Sequence, residues 1–172
     1  MSKYTYTLMI LVTILTTQLF ISCNKDDIET EDFVGVWKLQ KISSMTGGAY
    51  DPEQYGYFHY LKIMSNGTYV SLEGNGENDY EMASGTCWTE NEQRIDGKTR
   101  RFYLKQELCQ TKTYTSRYEQ TLIFEVIEKD KNQIILRPKK EITYYNYIKT
   151  NDNTFNQIYE TIKKVISSNY TY

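Results

Sequence analysis

The sequence contains one histidine, His59, and this limits the chemistry that the chain could perform. A zinc site built on histidines needs more than one, and neither Cys-x-x-Cys nor His-Glu-x-x-His occurs. A Ser-His or Cys-His nucleophilic pair would have to use His59, which lies within a predicted strand between Tyr57 and Leu61. The pattern therefore favours a packed or wall-facing histidine over a catalytic one.

Carboxylates are plentiful, with 22 Asp and Glu residues, but no pair is marked out by its position for acid–base catalysis. A glycosidase-like pair is defined by its separation in space, so the sequence leaves that possibility open. The stretch Gly74-Asn75-Gly76 lacks the further glycine and the helix of a phosphate-binding loop. We therefore expect a protein that is not an enzyme and that uses no metal and no cofactor.

The N-terminus has the layout of an export signal. Lys3 is followed by an apolar run over residues 8–21 and then by the small residue Ser22. The apolar run is shorter than the roughly 20 residues that a membrane-spanning helix needs. We expect residues 1–22 to be a cleaved signal peptide.

The end of this segment, Leu19-Phe20-Ile21-Ser22-Cys23, resembles a bacterial lipobox, although Phe20 stands where leucine is usual. The resemblance implies cleavage before Cys23 and acylation of its thiol and amine, which would attach the protein to a membrane through lipid. Several acyl chains on one residue make such an anchor stable. An ordinary secretory signal with an incidental cysteine is the alternative.

Residues 23–32 are acidic and lack a periodic apolar pattern, so we interpret them as a tether between lipid and domain. Within them, Lys25-Asp26-Asp27 resembles the signal that sends some Gram-negative lipoproteins to the outer leaflet of the outer membrane. That resemblance implies an outer-membrane protein exposed at the cell surface. A solvated tether with no signalling role is the alternative.

The net charge is −2 and becomes more negative when Lys3 is removed with the signal peptide. The adjacent basic pairs, Arg100-Arg101 and Lys139-Lys140, lie among polar residues and are explained by solvated strand ends. A nucleic-acid partner would need a basic surface, so we expect none.

Export also bears on the remaining thiols, Cys87 and Cys109. An exported chain matures in an oxidising compartment, and both cysteines lie near the ends of predicted neighbouring strands. We expect a disulfide between them, which would contribute roughly 3 kcal/mol by closing a loop of this size. Two free, buried cysteines are the alternative.

The first strand-like segment, residues 33–42, places Phe33, Gly35, Trp37 and Leu39 on one face. This F-x-G-x-W pattern resembles the first strand of lipocalins and of the related fatty-acid-binding proteins. The resemblance implies a barrel that holds a small apolar ligand, with the connection after the first strand folded over its open mouth. An ordinary surface loop is the alternative for that connection.

Further strand-like segments follow at short spacing, which is typical of an antiparallel barrel or sandwich. Asn66-Gly67 predicts a hairpin because both residues tolerate positive φ. Apolar residues then recur at helical spacing from Phe155 to Ile166, and Thr154 with Gln157 could form a capping box. These segments are residues 57–64, 68–72, 80–89, 99–108 (with Phe102, Leu104 and Leu108 alternating with polar residues), 114–127, 134–137 and 142–148.

We therefore expect an all-β fold over residues 33–172: an antiparallel, up-and-down, lipocalin-like barrel of about eight strands with a C-terminal amphipathic helix. The expected function is non-catalytic binding of a small apolar or amphipathic ligand at the cell surface. A surface module with a solid core, in which loop tyrosines bind glycans or another protein, is the alternative. The residues expected to face the lumen are Trp37, Tyr57, His59, Leu61, Phe102, Phe124 and Tyr144.

Overall fold

The computed structural model describes residues 27–76, 79–95 and 97–168. The predicted signal peptide over residues 1–22, the predicted lipid attachment at Cys23, and Lys25 and Asp26 of the predicted export signal lie outside these ranges. No helix in the described ranges is both long and apolar enough to cross a membrane.

Within these ranges the chain is mostly antiparallel β-structure, with two short 3₁₀ helices near the N-terminus and one C-terminal helix. The 3₁₀ helices are Thr30–Phe33 and Pro52–Tyr55. The strands are β1 (Gly35–Ser44), β2 (Ala49–Tyr50), β3 (Phe58–Ile63), β4 (Thr68–Gly74), β5 (Tyr80–Arg94), β6 (Gly97–Thr111), β7 (Thr115–Ser116), β8 (Gln120–Lys129), β9 (Gln133–Pro138) and β10 (Thr143–Thr150), and the helix is α1 (Asp152–Ser167).

The eight long strands form a closed barrel. Strand β1 pairs with β3 on one side and with β10 on the other, and every other long strand pairs with its neighbours along the chain. The two-residue strands β2 and β7 pair with β1 and β6 outside this circuit. The predicted antiparallel barrel of about eight strands, followed by a helix, is therefore confirmed.

The first strand begins later than predicted. Phe33 belongs to a 3₁₀ helix, and β1 starts at Gly35. Gly35 has a φ of 134°, which glycine adopts readily and other residues adopt only with strain. Trp37 and Leu39 face the barrel interior, as their alternation predicts. Val36, on the opposite face, is buried against α1.

One end of the barrel is closed by the N-terminal segment. Phe33 stacks on Phe102 with ring centroids 4.6 Å apart, and its carbonyl accepts a 2.7 Å hydrogen bond from the Trp37 indole. Ile28 is buried in the same cluster, and its backbone exchanges hydrogen bonds with the Asn91 side chain. From Ile28 onward, residues of the predicted tether therefore pack onto the barrel as a plug.

The hairpin between β3 and β4 forms at the predicted position. The Gly67 amide donates to the Met64 carbonyl, and the Asn66 side chain accepts from the Thr68 amide. Of Asn66 and Gly67, only Gly67 adopts a positive φ, at 75°. The turn therefore needs left-handed backbone at one residue, where the sequence pattern suggested two.

A β-bulge in β6 changes the alternation of that strand. Ser84 pairs with Leu108 while Gly85 pairs with Gln106, so Glu107 is the extra residue. Phe102 and Leu104 face inward as expected, but Leu108 lies on the outer face. The expectation that Leu108 shares their face is therefore wrong, because an inserted residue reverses a period of two.

The C-terminal helix packs on the outer wall of the barrel. Phe155, Ile162 and Ile166 are buried against wall residues that include Tyr60 and Leu72. The N-cap is Asn151, whose side chain accepts a 2.9 Å hydrogen bond from the Thr154 amide. The capping box expected from Thr154 and Gln157 does not form, because Thr154 already lies in the first turn.

The predicted disulfide is absent. Cys87 and Cys109 are free and buried on β5 and β6. The register places Cys109 opposite Ala83, which is about 13 Å along the strand from Cys87. A disulfide needs Cα atoms within about 7 Å, so neighbouring strands alone do not suffice.

Candidate ligand-binding cavity

The half of the barrel remote from the plug contains a cavity of about 680 Å³. The hairpins joining β3 to β4 and β8 to β9 lie at the plugged end, because strands of a meander alternate in direction. The connections that follow β1, β4, β6 and β9 therefore surround the other end, which is the mouth. Residues 139–141 line the cavity there.

The cavity wall combines aromatic, aliphatic and polar side chains. Its floor meets the apolar cluster of the plug through Leu61 and Tyr69. The principal apolar and aromatic lining residues are Leu39, Tyr57, Leu61, Tyr69, Leu104, Phe124, Leu136, Tyr145 and Tyr147, and the polar ones inside the wall are His59, Ser71, Glu73, Glu81, Gln106 and Thr121.

Four of the predicted lumen residues line this cavity: Tyr57, His59, Leu61 and Phe124. Trp37 and Phe102 also face inward, but they are fully buried in the plug. Their indole and phenyl rings close the barrel and do not line its open volume.

The prediction for Tyr144 is wrong, because β10 has the opposite phase. The Tyr144 ring lies on the outer face, with the Arg137 guanidinium 6.0 Å from its centroid. Tyr145 and Tyr147 take the inward positions and line the cavity. Aromatic residues occupy both faces of this strand, so composition alone could not choose between the phases.

His59 lies on the inner wall near the start of β3, and its Nδ1 is 2.9 Å from the Tyr147 hydroxyl. Burial lowers the pKa of the imidazole from its ordinary 6.5 to about 4. The ring is therefore uncharged at neutral pH. The part of it that remains accessible faces the cavity.

Two carboxylates that the sequence did not single out meet inside the barrel. Glu73 on β4 is directly opposite Glu81 on β5, and His59 on β3 is directly opposite Glu73. Burial and the charge of Glu81 raise the pKa of Glu73, while its interaction with the Tyr57 hydroxyl opposes that rise. Tyr69, Ser71 and Glu73 alternate along one strand and therefore share a face. This spacing is the feature of the sequence that could have indicated an inward-facing Glu73.

Gln106 is another inward-facing polar residue. It lines the cavity and is only 8% exposed. Its side-chain amide makes no hydrogen bond to any residue in the described ranges. Because the residue lines the cavity, the amide is open to hydrogen bonding by water or by a bound molecule.

The basic residues of the cavity lie at its mouth. Lys139 and Lys140 are exposed there, and Lys140 has a φ of 75°. Neither of them forms an ion pair with a described residue. No group of three or more His, Cys, Asp or Glu side chains in the described ranges is arranged to hold a metal ion.

A second, shallow pocket of about 530 Å³ adjoins the mouth. Tyr50 and Tyr55 form its exposed edge, at 48% and 73% exposure, and their rings meet edge to face with centroids 5.8 Å apart. Tyr57 lines both this pocket and the cavity. The connection between β1 and β3 therefore carries aromatic surface to the rim of the barrel.

Comparison with known proteins identifies no relative: no family model, no curated protein and no solved structure matches the chain. The cavity and its lining are therefore the grounds for a functional proposal.

Proposed function

We propose that the protein is a lipocalin-like, non-catalytic carrier that binds a small apolar or amphipathic molecule inside its barrel. The observation that supports this function is the cavity of about 680 Å³, open at one end and closed by the plug at the other. Its volume lies within the roughly 300–1,000 Å³ of small-molecule sites. The F-x-G-x-W pattern and the helix on the barrel wall agree with a lipocalin-like assignment.

The proposed lipid anchor on Cys23 would lie beside the plugged end. Asp27 pairs with Lys98 at the start of β6, which is at that end. The chain from Cys23 to Asp27 spans at most about 14 Å. The mouth would then face away from the membrane and exchange ligand with the aqueous side.

Surface display is the further part of this proposal, based on Lys25-Asp26-Asp27. Because Asp27 also pairs with Lys98, its replacement would alter the plugged end as well as any signal. A test should therefore replace Lys25 and Asp26 alone and measure protease access on intact cells. Loss of access supports an export signal, and unchanged access contradicts one.

The carrier function is tested by native mass spectrometry of the full chain, combined with titration of a neutral naphthalene dye. We expect a co-purified small molecule, and dye fluorescence that rises with saturation at one site. Ser71→Phe places a ring in the cavity and should abolish dye binding. Gln93→Phe adds the same ring at an exposed position and should leave binding unchanged. Equal dye binding by both variants would contradict a site inside the barrel.

The exposed ring pair Tyr50 and Tyr55 favours a second candidate function, glycan binding at the rim. Edge-to-face tyrosines beside a shallow pocket offer an aromatic platform for sugar rings. Retention on a glycan array that is lost in Tyr50→Ala and Tyr55→Ala, but kept in Tyr118→Ala, would support it. Tyr118 is a suitable control because its exposure of 47% matches that of Tyr50 and it lies outside this pocket.

A further inference from the structure

We propose that the ligand carries a cationic ammonium group, which Glu73 and Glu81 bind inside the cavity. This inference rests on the carrier function proposed above and specifies the chemistry of its ligand. It assigns the two carboxylates to a polar subsite, with the apolar wall taking the remainder of the molecule.

Neither carboxylate of the subsite is held in an ion pair by a described residue. Glu73 and Glu81 are cross-strand neighbours on the inward face, and no lysine or arginine in the described ranges forms an ion pair with either of them. His59, the next residue in the row, is uncharged at neutral pH. Two like charges in a partly enclosed space attract a cation that can pair with both.

The surrounding rings suit an organic cation. Tyr57, Tyr145 and Tyr147 line the same cavity, and the Tyr57 hydroxyl interacts with Glu73. The negative faces of aromatic rings attract ammonium groups, and that attraction strengthens where water is excluded. An ammonium group attached to an apolar body would therefore contact both carboxylates and rings.

Gln106 supplies a second polar group for a ligand in the cavity. The residue is more than nine-tenths buried and lines the cavity, and its side-chain amide has no hydrogen-bond partner among the described side chains. An amide carbonyl can accept a hydrogen bond from a donor group of the ligand. Gln106 pairs with Gly85, about 13 Å along β5 from Glu81, so the amide would meet a donor on the body of the ligand while the ammonium group meets the carboxylates.

The surroundings of Glu73 also favour a cationic partner. Burial and the charge of Glu81 raise its pKa, which means that its charged form is destabilised, although the Tyr57 hydroxyl opposes that rise. A cation placed between Glu73 and Glu81 would offset both effects.

The competing possibility is an anionic ligand held by Lys139 and Lys140. Both lysines are exposed on the connection between β9 and β10, whereas Glu73 and Glu81 are half-buried on the inner wall, near the ends of β4 and β5 that border the mouth. Half-buried charges are screened less by water than exposed ones, so Glu73 and Glu81 would repel an anion in the cavity more strongly than the exposed lysines would attract it. The placement of the charges therefore favours a cation.

The test compares three indoles of similar size with the full chain in equilibrium dialysis at pH 7.5. Tryptamine carries an ammonium group, 3-ethylindole is neutral, and indole-3-propionate carries a carboxylate. We expect tryptamine to bind at least tenfold more tightly than either of the others. Equal binding of the three, or preference for the neutral or anionic compound, would overturn the inference.

Isosteric variants then assign the effect to the subsite. Glu73→Gln and Glu81→Gln should each weaken tryptamine binding about tenfold and leave 3-ethylindole binding unchanged. The control Glu128→Gln removes the same charge from an exposed position outside the cavity and should change neither. A loss of tryptamine binding in the control alone, or in no variant, would contradict the assignment to Glu73 and Glu81.

The neutral naphthalene dye separates failure of this inference from failure of the carrier function. If the dye binds inside the barrel but tryptamine shows no preference, the carrier function stands and the cationic ligand is excluded. If neither the dye nor any indole binds, both proposals are overturned.

Discussion

The side chains inside the barrel make its lumen more polar than that of a simple apolar carrier. Glu73 and Glu81 supply negative charge, and Gln106 supplies an amide without a partner in the described part of the chain. His59, beside Glu73, stays uncharged because it is enclosed. At the scale of the residue, we therefore expect the cavity to select its ligand by charge as well as by size.

The depressed pKa of His59 predicts a loss of stability in mild acid. The unfolded chain binds a proton near pH 6.5, whereas the folded chain resists it until about pH 4. The free energy of unfolding should therefore decrease as the pH falls from 6.5 to 4, by up to about 3 kcal/mol. Urea denaturation across this range measures the effect.

The control for this prediction is His59→Gln, which keeps an acceptor for the Tyr147 hydroxyl and cannot gain the proton. Glu73, whose raised pKa gives the opposite slope, is present in both chains. The difference between the two chains therefore isolates His59. Parallel stability curves would contradict a buried, neutral imidazole.

The buried thiols predict slow modification of the native protein. Burial raises the pKa of both Cys87 and Cys109 to about 11, so little reactive thiolate is present at neutral pH. In a Cys23→Ala chain, a thiol reagent should react with both cysteines after unfolding without reductant and with neither beforehand. Failure to detect thiols in the unfolded chain would show that a disulfide had formed.

At the scale of the element, the bulge in β6 decides which side chains reach the lumen. Gln106, before the bulge, faces the cavity. After the bulge, Leu108 faces outward and Cys109 faces inward. Gly85 lies opposite the bulge, and a Cβ atom there would overlap the Lys105 carbonyl. A side chain at this position would force the backbone of the paired strands apart.

Gly85→Ala should therefore destabilise the fold by at least about 2 kcal/mol, as measured by urea denaturation. The matched variant is Gly74→Ala, whose Cβ would meet ring atoms of Tyr80 and Phe58 at 2.6 and 2.8 Å. Rings can shift more easily than a paired backbone, so Gly74→Ala should cost less. The reverse order would contradict the role of the bulge.

At the scale of the whole molecule, the plug and the mouth lie at opposite ends of the barrel. The N-terminal segment enters at the plugged end, where Phe33, Trp37 and Phe102 pack together. Helix α1 covers the outer wall and leaves the mouth open. A lipid at the N-terminus would hold such a molecule with its mouth directed into the aqueous phase.

The proposed anchor predicts that Cys23→Ala releases the protein from membranes. The single substitution removes the acylated thiol and lies outside the described barrel, so folding should be unaffected. Fractionation of cells followed by immunoblotting measures the distribution, and circular dichroism verifies the fold. Continued membrane association of the folded variant would contradict the lipobox interpretation.

Local patterns were sufficient for the elements themselves. The alternation of apolar and polar residues predicted the strands, Asn66-Gly67 predicted a hairpin, and the helical spacing of apolar residues from Phe155 to Ile166 predicted α1. Each of these depends on side chains that are close together in the chain. Six of the seven side chains that were predicted to face the lumen do face the barrel interior, and Tyr144 is the exception.

The candidate site depended on relations between distant segments. Glu73 and Glu81 face each other because of the register between β4 and β5, and the bulge at Glu107 sets the phase of Cys109. Register and closure are decided by how strands pair across the barrel, which no single strand encodes. The sequence alone therefore determined a barrel with a terminal helix, and only the tertiary structure decided that Glu73 and Glu81 face each other on the wall of its cavity.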